Sequence, residues 1–357
     1  MKKAPTMADV ARKAGVAKST VSLALRNDPR VTESLRLQIE KTAMQMGYRS
    51  NPLTARLMAE LRNSRKNSYV ATLGLINVSV YNDLAQRIEI VREQLDGAEE
   101  RAEQLGYKLD YFWLEQPKVT PQRLASILEA RNIQGVAFYG IRDDEALMRC
   151  EPIWRSLPTV AIGSHPGTPR LNFIANDHYV TAVQAYHHMT QAGYRRIGIV
   201  LDKWLDALLE HRYVAGYMTC IGKQKDAPPI LYLEDLQEKP RPEGKKRFFD
   251  WIQAYKPDAC ICINSFILEW VEELGLKTPE DFGIAMLDLS PQFKDKVAGM
   301  YHSARWLGMK AVDSLISQIH RNESGVPPFQ SGILVESVWS PGSTVRAVSA
   351  KATARRR

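Results

Sequence analysis

The order of apolar and polar positions along the chain changes character near residue 68. Before this point, apolar residues recur at three- and four-residue spacing, which predicts short amphipathic helices. After it, short, largely apolar runs alternate with amphipathic helical segments, which predicts strands alternating with helices. These runs include residues 70–76, 135–139, 196–201, 260–263 and 284–287. The pattern predicts a small all-helical part followed by an α/β part with parallel sheets.

Three short helices are predicted before residue 50, and the first two are spaced for a tight crossing. A Thr-x-x-Asp box at Thr6 precedes the first helix, and Gly15 ends it. A helix-turn-helix unit needs a small side chain where the helices touch, a glycine in the turn and a branched apolar side chain that packs the second helix in place. Ala11, Gly15 and Val21 meet these three needs in that order. An ordinary three-helix bundle is the alternative interpretation.

The distribution of charge favours a helix-turn-helix unit that binds DNA over an ordinary three-helix bundle. The net charge of the chain is +8 at pH 7. Residues 1–67 carry 14 basic and 5 acidic side chains, a net charge of +9, and the last seven residues add +4. The segment between them is net acidic. This is the pattern of a basic, phosphate-binding module attached to a domain of ordinary charge. A solvated basic face would show the same charge, which is why charge alone does not decide.

The residues of the first helix pair resemble a known family. The segment 7–22, Met-Ala-Asp-Val-Ala-Arg-Lys-Ala-Gly-Val-Ala-Lys-Ser-Thr-Val-Ser, resembles the headpiece of the LacI/GalR (lactose-repressor) family, and Gly47-Tyr48 with Asn51-Pro52 matches its exit. The resemblance implies a helix-turn-helix headpiece and a core of two doubly wound parallel-sheet subdomains, of the periplasmic-binding-protein-like type I. It divides the chain into a headpiece (1–50), a hinge helix and linker (51–68), a core (69–348) and a basic tail (349–357).

The resemblance also implies which headpiece residues meet DNA. Lys18, Ser19 and Ser22 would face the major groove, and Thr20 would contact a phosphate. Leu23 stands where many members have a polar base-reading side chain, and leucine offers only apolar contacts such as those with a thymine methyl. The implied set is Thr6, Lys18, Ser19, Thr20, Ser22, Leu23 and Asn27, with Ala55, Arg56 and Met58 from the hinge.

The hinge segment, residues 51–68, combines good helix formers with a polar, basic end. A helix this short is marginal alone in water and needs support. The resemblance supplies it, because paired hinge helices of two subunits would enter the minor groove with Met58 as an apolar wedge. The alternative is that Leu57 and Met58 simply pack the dimer seam.

The α/β part is predicted to hold two similar halves. Helix-to-strand turns at Gly106-Tyr107 and Gly193-Tyr194 mark corresponding points in each. Subdomain one is expected to comprise about 70–173 and 301–331, and subdomain two about 174–300 and 332–348. The chain segments that cross between them would act as a hinge for closure.

Ligand-binding candidates follow the predicted strands, where parallel sheets place their sites. Arg212 begins an Arg-x-x-x-Gly helix start that the resemblance assigns to the cleft, where its fork suits hydroxyl or carboxylate oxygens. Asp288 and Asn264 end strands, with turn formation or capping as the alternative. Subdomain one offers Tyr81, Asn82 and His165, while Asp177 is expected to cap the next helix.

Other functional classes lack support in the sequence. No nucleophile elbow, phosphate loop or dinucleotide fingerprint occurs, and adjacent His187 and His188 diverge on a helix, so neither catalysis nor a metal or cofactor is expected. No export signal or membrane span is predicted, which leaves the cytoplasm. The expected function is a homodimeric regulator, most simply a repressor, that binds a palindromic operator and a small effector such as a sugar. A periplasmic-type receptor and a ligand-independent DNA binder are the alternatives.

Overall fold

The computed structural model describes residues 7–25, 30–46, 69–164, 167–222, 226–233 and 242–347. In the headpiece, helices α1 (Met7–Ala14), α2 (Lys18–Ala24) and α3 (Glu33–Gln45) pack around one small core. Val10, Val21, Ala24 and Ile39 are completely buried there. Gly15 adopts a left-handed φ of 71° in the turn between α1 and α2, as a tight helix-turn-helix requires.

Within the described residues, twelve strands form two six-stranded sheets. Sheet one has the order β11-β5-β4-β3-β1-β2 and sheet two the order β12-β10-β9-β8-β6-β7. The strands are β1 (Ala71–Asn77), β2 (Tyr107–Trp113), β3 (Ile133–Tyr139), β4 (Thr159–Ile162), β5 (Phe173–Asn176), β6 (Ile197–Asp202), β7 (Leu231–Leu233), β8 (Ala259–Cys262), β9 (Gly283–Met286), β10 (Gly299–Tyr301), β11 (Gly332–Val335) and β12 (Val338–Ser340). All pairings are parallel except β10 with β12.

Helices cover both faces of each sheet, so central strands such as β3 and β6 are buried along almost their whole length. They are α4 (Leu84–Arg87), α5 (Glu89–Gln104), α6 (Pro121–Ala130), α7 (Asp144–Arg149), α8 (Glu151–Trp154), α9 (His178–Gln191), α10 (Lys203–Leu208), α11 (Arg212–Ile221), α12 (Pro242–Tyr255), α13 (Phe266–Glu273) and α14 (Ala304–Arg321). The predicted fold class, a helix-turn-helix headpiece with two doubly wound subdomains, is confirmed. One predicted helix, 84–104, is two helices, because Ile88 between them is extended.

The subdomain boundaries differ from the predicted ones in two places. All of β5 belongs to sheet one, and so does β11, which was expected in subdomain two. The reason is strand pairing: β11 lies parallel to β5 in register from Gly332 opposite Phe173 to Val335 opposite Asn176. The described chain therefore crosses between the subdomains at Asp177, at His302–Ser303 and at Glu336–Ser337.

The helix that follows the second crossing packs very closely on subdomain one. Helix α14 lies against α5 with glycine facing the backbone of the other helix on both sides. A Cβ added at Gly308 would lie 1.8 Å from the carbonyl oxygen of Gln94, and one at Gly97 would lie 2.0 Å from that of Arg305. The two helix backbones can approach this closely only because both positions lack a side chain.

Among the described residues, every helix is too short or too polar to span a membrane.

Candidate DNA-binding face and ligand cleft

Among the described side chains of helix α2, one is exposed to solvent. Lys18, at the first position of α2, is exposed, and Thr20 is half-buried. Leu23 is also half-buried and packs against the headpiece core, so part of its surface is already used within the protein. An exposed lysine beside the start of a helix is suited to a phosphate backbone.

Several predicted DNA contacts lie outside the description of the structure. Ser19 and Ser22 belong to α2, but their side chains are not among the described ones. Thr6, Asn27, Ala55, Arg56 and Met58 lie outside the described residues. Their assignment to DNA stays a prediction.

Residues just beyond the carboxyl ends of strands in both sheets meet in a cleft between the subdomains. On one side of it, a cavity of about 510 Å³ is lined by Val78, Ser79, Val80, Glu115, Arg142, Asp143, Glu145, Ala146, Arg149 and Trp204. Arg142 follows β3 of subdomain one, and its guanidinium lies 4.8 Å from the ring centre of Trp204, on α10 of subdomain two. This cation–π contact joins the two walls of the cleft.

The structure does not bring Tyr81 and Asn82 to this cavity. Tyr81 is half-buried with the Arg87 guanidinium 4.4 Å over its ring, and its carbonyl oxygen accepts hydrogen bonds from Asn77 and Ser79. Asn82 is exposed. The loop therefore lines the cavity with its earlier residues, because these contacts hold Tyr81 in a turn. His165 lies outside the described residues.

A buried cluster of aromatic and imidazole rings lies where the chain crosses between the subdomains, and it was not predicted from the sequence. The hydroxyl of Tyr213 lies 3.3 Å from Nε2 of His302, and the ring of His178 meets Tyr213 edge-on at 4.9 Å. Asp288 Oδ1 lies 3.7 Å from the same Nε2. The available signal was His178 itself, an unusual side chain directly after the capping Asp177, whose carboxylate does accept from the amide of Val180.

Two predicted ligand residues border this cluster and carry buried polar atoms with no hydrogen-bond partner among the described residues: Nε of Arg212 and Oδ1 of Asp288. Arg212 also acts electrostatically on His178, and burial raises the pKa of the Asp288 carboxyl while the nearby His302 opposes that change. Buried donors and acceptors without a hydrogen-bond partner are rare in folded proteins and mark positions suited to a ligand or water contact. This arrangement can accept a polar molecule.

The turn before Arg212 is built to present it. Glu210 and His211 both adopt left-handed backbone conformations, with φ of 53° and 57°. Asp206, whose side chain is completely buried, accepts from the hydroxyl of Tyr232 at 2.7 Å and lies 2.7 Å from Nδ1 of His211. These contacts hold a backbone shape that residues other than glycine rarely adopt. The turn therefore places Arg212 at the first position of α11.

Asn264 follows β8, as predicted, and is half-buried. Its carbonyl oxygen accepts from the Sγ of Cys262 and from the amide of Ile267. This is the turn role that was the alternative to ligand binding, although it involves the backbone and leaves the side chain out. The ligand role of its carboxamide stays a prediction.

Acidification is expected to destabilise subdomain two through His178. Burial, with smaller contributions from His302 and Arg212, lowers the pKa of His178 from 6.5 to about 3. The unfolded chain therefore binds a proton below pH 6.5 that the folded chain refuses, so stability is lost as the pH falls from 6.5 towards 3. Urea unfolding at pH 7 and pH 5 should show a loss of about 2 kcal/mol from this residue.

The His178→Asn variant should lose most of that pH dependence, whereas His187→Asn, exposed on the same helix, should keep it. Equal pH dependence in wild type and His178→Asn would show that His178 is not held neutral.

Comparison with known proteins supports one family. The family described as "Bacterial regulatory proteins, lacI family" matches residues 6–51. The chain is 25% identical over 338 residues to the HTH-type transcriptional repressor CytR of Escherichia coli (strain K12), covering 90% of this chain and 92% of CytR. It is 24% identical over 354 residues to the HTH-type transcriptional regulator GntR of the same strain, covering 96% and 99%.

Solved structures share the fold along the whole length. The complex of the transcriptional regulator CelR with cellobiose superposes with a TM-score of 0.61 at 17% identity, covering 95% of this chain and 99% of CelR. The lac repressor dimer bound to operator and the anti-inducer ONPF superposes with a TM-score of 0.58 at 17% identity, covering 97% and 100%.

The headpiece, the two-subdomain core and these similarities define a ligand-responsive, DNA-binding transcription regulator rather than an enzyme. The resemblance of the helix-turn-helix segment to the LacI family of bacterial regulatory proteins, predicted from its residues, is confirmed.

Proposed function

We propose that this regulator is a repressor that binds a two-fold symmetric DNA operator as a homodimer. Its affinity for the operator falls or rises when a small polar metabolite binds in the cleft. The observation that carries the ligand half is a pair of buried polar atoms without a hydrogen-bond partner among the described residues, on Arg212 and Asp288 beside the Tyr213 cluster. The headpiece, with its basic surroundings, carries the DNA half.

On the DNA side, helix α2 enters the major groove. Lys18 and Thr20 contact phosphates or base edges from its first turn, where the positive end of the helix dipole adds to the attraction. Ser19, Ser22 and Leu23 complete the reading face, with Leu23 contributing the apolar part that its own packing leaves exposed. Two such helices about one turn of DNA apart require a dimer.

On the ligand side, the effector is a hydroxyl-rich molecule, most simply a sugar or sugar derivative. A guanidinium and a carboxylate on neighbouring elements pair with hydroxyl groups in opposite senses, one donating and the other accepting. The cellobiose complex of CelR supports this class, since that protein shares the fold. A ligand that is held by Arg212 and Asp288 in subdomain two and also reaches the cavity residues of subdomain one changes the angle between the subdomains, and thereby the geometry of the paired headpieces.

The test combines a DNA measurement with a ligand screen on the full-length chain. Random duplex oligonucleotides are selected at two salt concentrations and the enriched site is footprinted; a palindrome whose affinity falls steeply with salt is expected. A thermal-shift screen of sugars, sugar acids and nucleosides then names the effector, which should change the footprint by about 5–150-fold in affinity.

Arg212→Ala should abolish the thermal shift and the change in footprint while DNA affinity without effector is kept. Arg195→Ala, an exposed arginine at the opposite end of the sheet-two strands, is the matched control and should respond like wild type. A palindromic footprint that no small molecule alters would show a ligand-independent DNA binder and overturn the ligand half of the proposal.

A further inference from the structure

The three crossings between the subdomains meet in one continuous chain of buried side-chain hydrogen bonds. Thr181, one turn after the first crossing, lies with its Oγ1 2.8 Å from Oγ of Ser337, in the third crossing. Ser337 Oγ in turn lies 2.7 Å from Nδ1 of His302, in the second crossing. All three side chains are buried, with at most 5% of each residue exposed. No other described contact ties all three crossings together.

The positions of the protons in this chain follow from counting donors. A hydroxyl has one proton to donate. Thr181 donates its proton to the carbonyl oxygen of Asp177 at 2.7 Å, so its oxygen must accept from Ser337. Ser337 thereby uses its only proton on Thr181, and its oxygen must accept from His302. His302 therefore carries a proton on Nδ1.

A proton on Nδ1 fits both a neutral ring and an imidazolium, and the Tyr213 hydroxyl beside Nε2 favours the neutral ring. The buried phenol proton has no other hydrogen-bond acceptor among the described contacts, so Nε2 accepts it. A neutral imidazole protonated at Nδ1 has a lone pair at Nε2. The Tyr213 hydroxyl, 3.3 Å away, can donate to it, and burial raises the pKa of Tyr213 so that the phenol keeps its proton. Each group in the series Tyr213, His302, Ser337 and Thr181 donates its proton to the next one. The series of hydrogen bonds ends at the backbone carbonyl oxygen of Asp177.

We propose that Ser337 and Thr181 are positioning residues that lock His302 as the neutral Nδ1–H tautomer and, through it, couple the cleft to the three crossings. Neither side chain borders the cavity, and neither was expected to matter for effector response. The inference rests on the proposed function only in treating the Tyr213 cluster as part of the cleft. When the subdomains rotate, Thr181 and Ser337 move relative to His302, so the tautomer and the orientation of its ring respond to closure.

The chain contains matched controls for both hydroxyls. Ser340 and Thr159 are also buried, but their hydroxyl oxygens have no hydrogen-bond partner among the described residues. Ser337→Ala and Thr181→Val remove bonded hydroxyls, whereas Ser340→Ala and Thr159→Val make the same chemical change where no such bond is lost. Ser337→Thr keeps a hydroxyl and should restore the wild-type behaviour.

The tautomer is read directly by two-dimensional ¹⁵N–¹H NMR of the full chain labelled in its histidine rings, with His302→Gln assigning the signal. Wild type, both controls and Ser337→Thr should show a neutral Nδ1–H ring near pH 7. Ser337→Ala and Thr181→Val should shift His302 towards the Nε2–H form or a mixture. An Nε2–H ring or an imidazolium paired with Asp288 in the wild type, or an unchanged tautomer in Ser337→Ala, would overturn the proposal.

Hydrogen exchange of the crossing amides measures the coupling separately. The amide of Asp177 donates to Val335 and that of Ala304 to His302, so both report on the crossings. Loss of the Ser337 hydroxyl should speed their exchange by about three- to tenfold relative to Ser340→Ala. Equal exchange in the two variants would show that the chain does not tie the crossings together. Both measurements need neither DNA nor effector, so their failure is distinguishable from failure of the proposed function.

Discussion

Val21→Asp is expected to abolish binding to duplex DNA while the core stays folded. Val21 is completely buried between the three headpiece helices, and an unpaired carboxylate there costs several kcal/mol. A domain as small as the headpiece has little stability to lose, so it should unfold. Retention on the selected operator should fall about 100-fold or more, because each loss of about 1.4 kcal/mol is a factor of ten.

Leu37→Asp is the matched control because it adds the same charge to the headpiece at a site that is 58% exposed on α3. It should weaken DNA binding only slightly. Thermal unfolding followed by circular dichroism should show the core transition unchanged in both variants. Wild-type DNA binding by Val21→Asp would mean that the described helix-turn-helix core is not what presents the DNA-reading face.

The second large effect is expected from Gly308→Ala, which should destabilise the core. The added methyl group would lie 1.8 Å from the carbonyl oxygen of Gln94 and 2.7 Å from the amide nitrogen of Ala98, both backbone atoms of α5. The two helices must separate to admit it, at a cost of about 3 kcal/mol. The midpoint of thermal unfolding of the core should fall by roughly 6–12 °C.

Gly244→Ala is the control for this substitution. Gly244 also lies in a helix, α12, but a methyl group there would meet only side-chain atoms at 3.8 and 3.9 Å. Replacing glycine in a helix at such a site is neutral or slightly stabilising. Equal unfolding midpoints for Gly308→Ala and Gly244→Ala would contradict the close packing of α5 on α14.

The position of α14 connects this packing to regulation. The helix begins at Ala304, directly after His302 and Ser303 of the second crossing, and lies against subdomain one along its length. A displacement of α14 would therefore pull on His302 and on the hydrogen-bonded chain that joins the crossings. The close glycine contacts hold α14 in a fixed position on subdomain one. A rotation of subdomain two therefore changes the backbone conformation at the crossings.

Much of this protein could be read from local sequence. The helix-turn-helix unit depends on residues close together in the chain, namely a capping box, a turn glycine and a buried valine within one short segment. The cap at Asp177 and the runs that form β1, β3, β6, β8 and β9 were equally local. Helical spacing, turn chemistry and apolar runs act over a few residues, which is why their sequence patterns are informative.

The sheet to which β11 belongs, and the composition of the cleft, were settled by tertiary structure. A short apolar strand carries no mark of which sheet it joins, so the pairing of β11 with β5 was invisible until both were packed. His178, Tyr213, His302 and Ser337 come from four separate parts of the chain, and nothing in the spacing between them indicates a shared cluster. Local patterns determined which elements form, while the contacts between distant elements decided what the cleft is made of, because those contacts depend on packing in three dimensions.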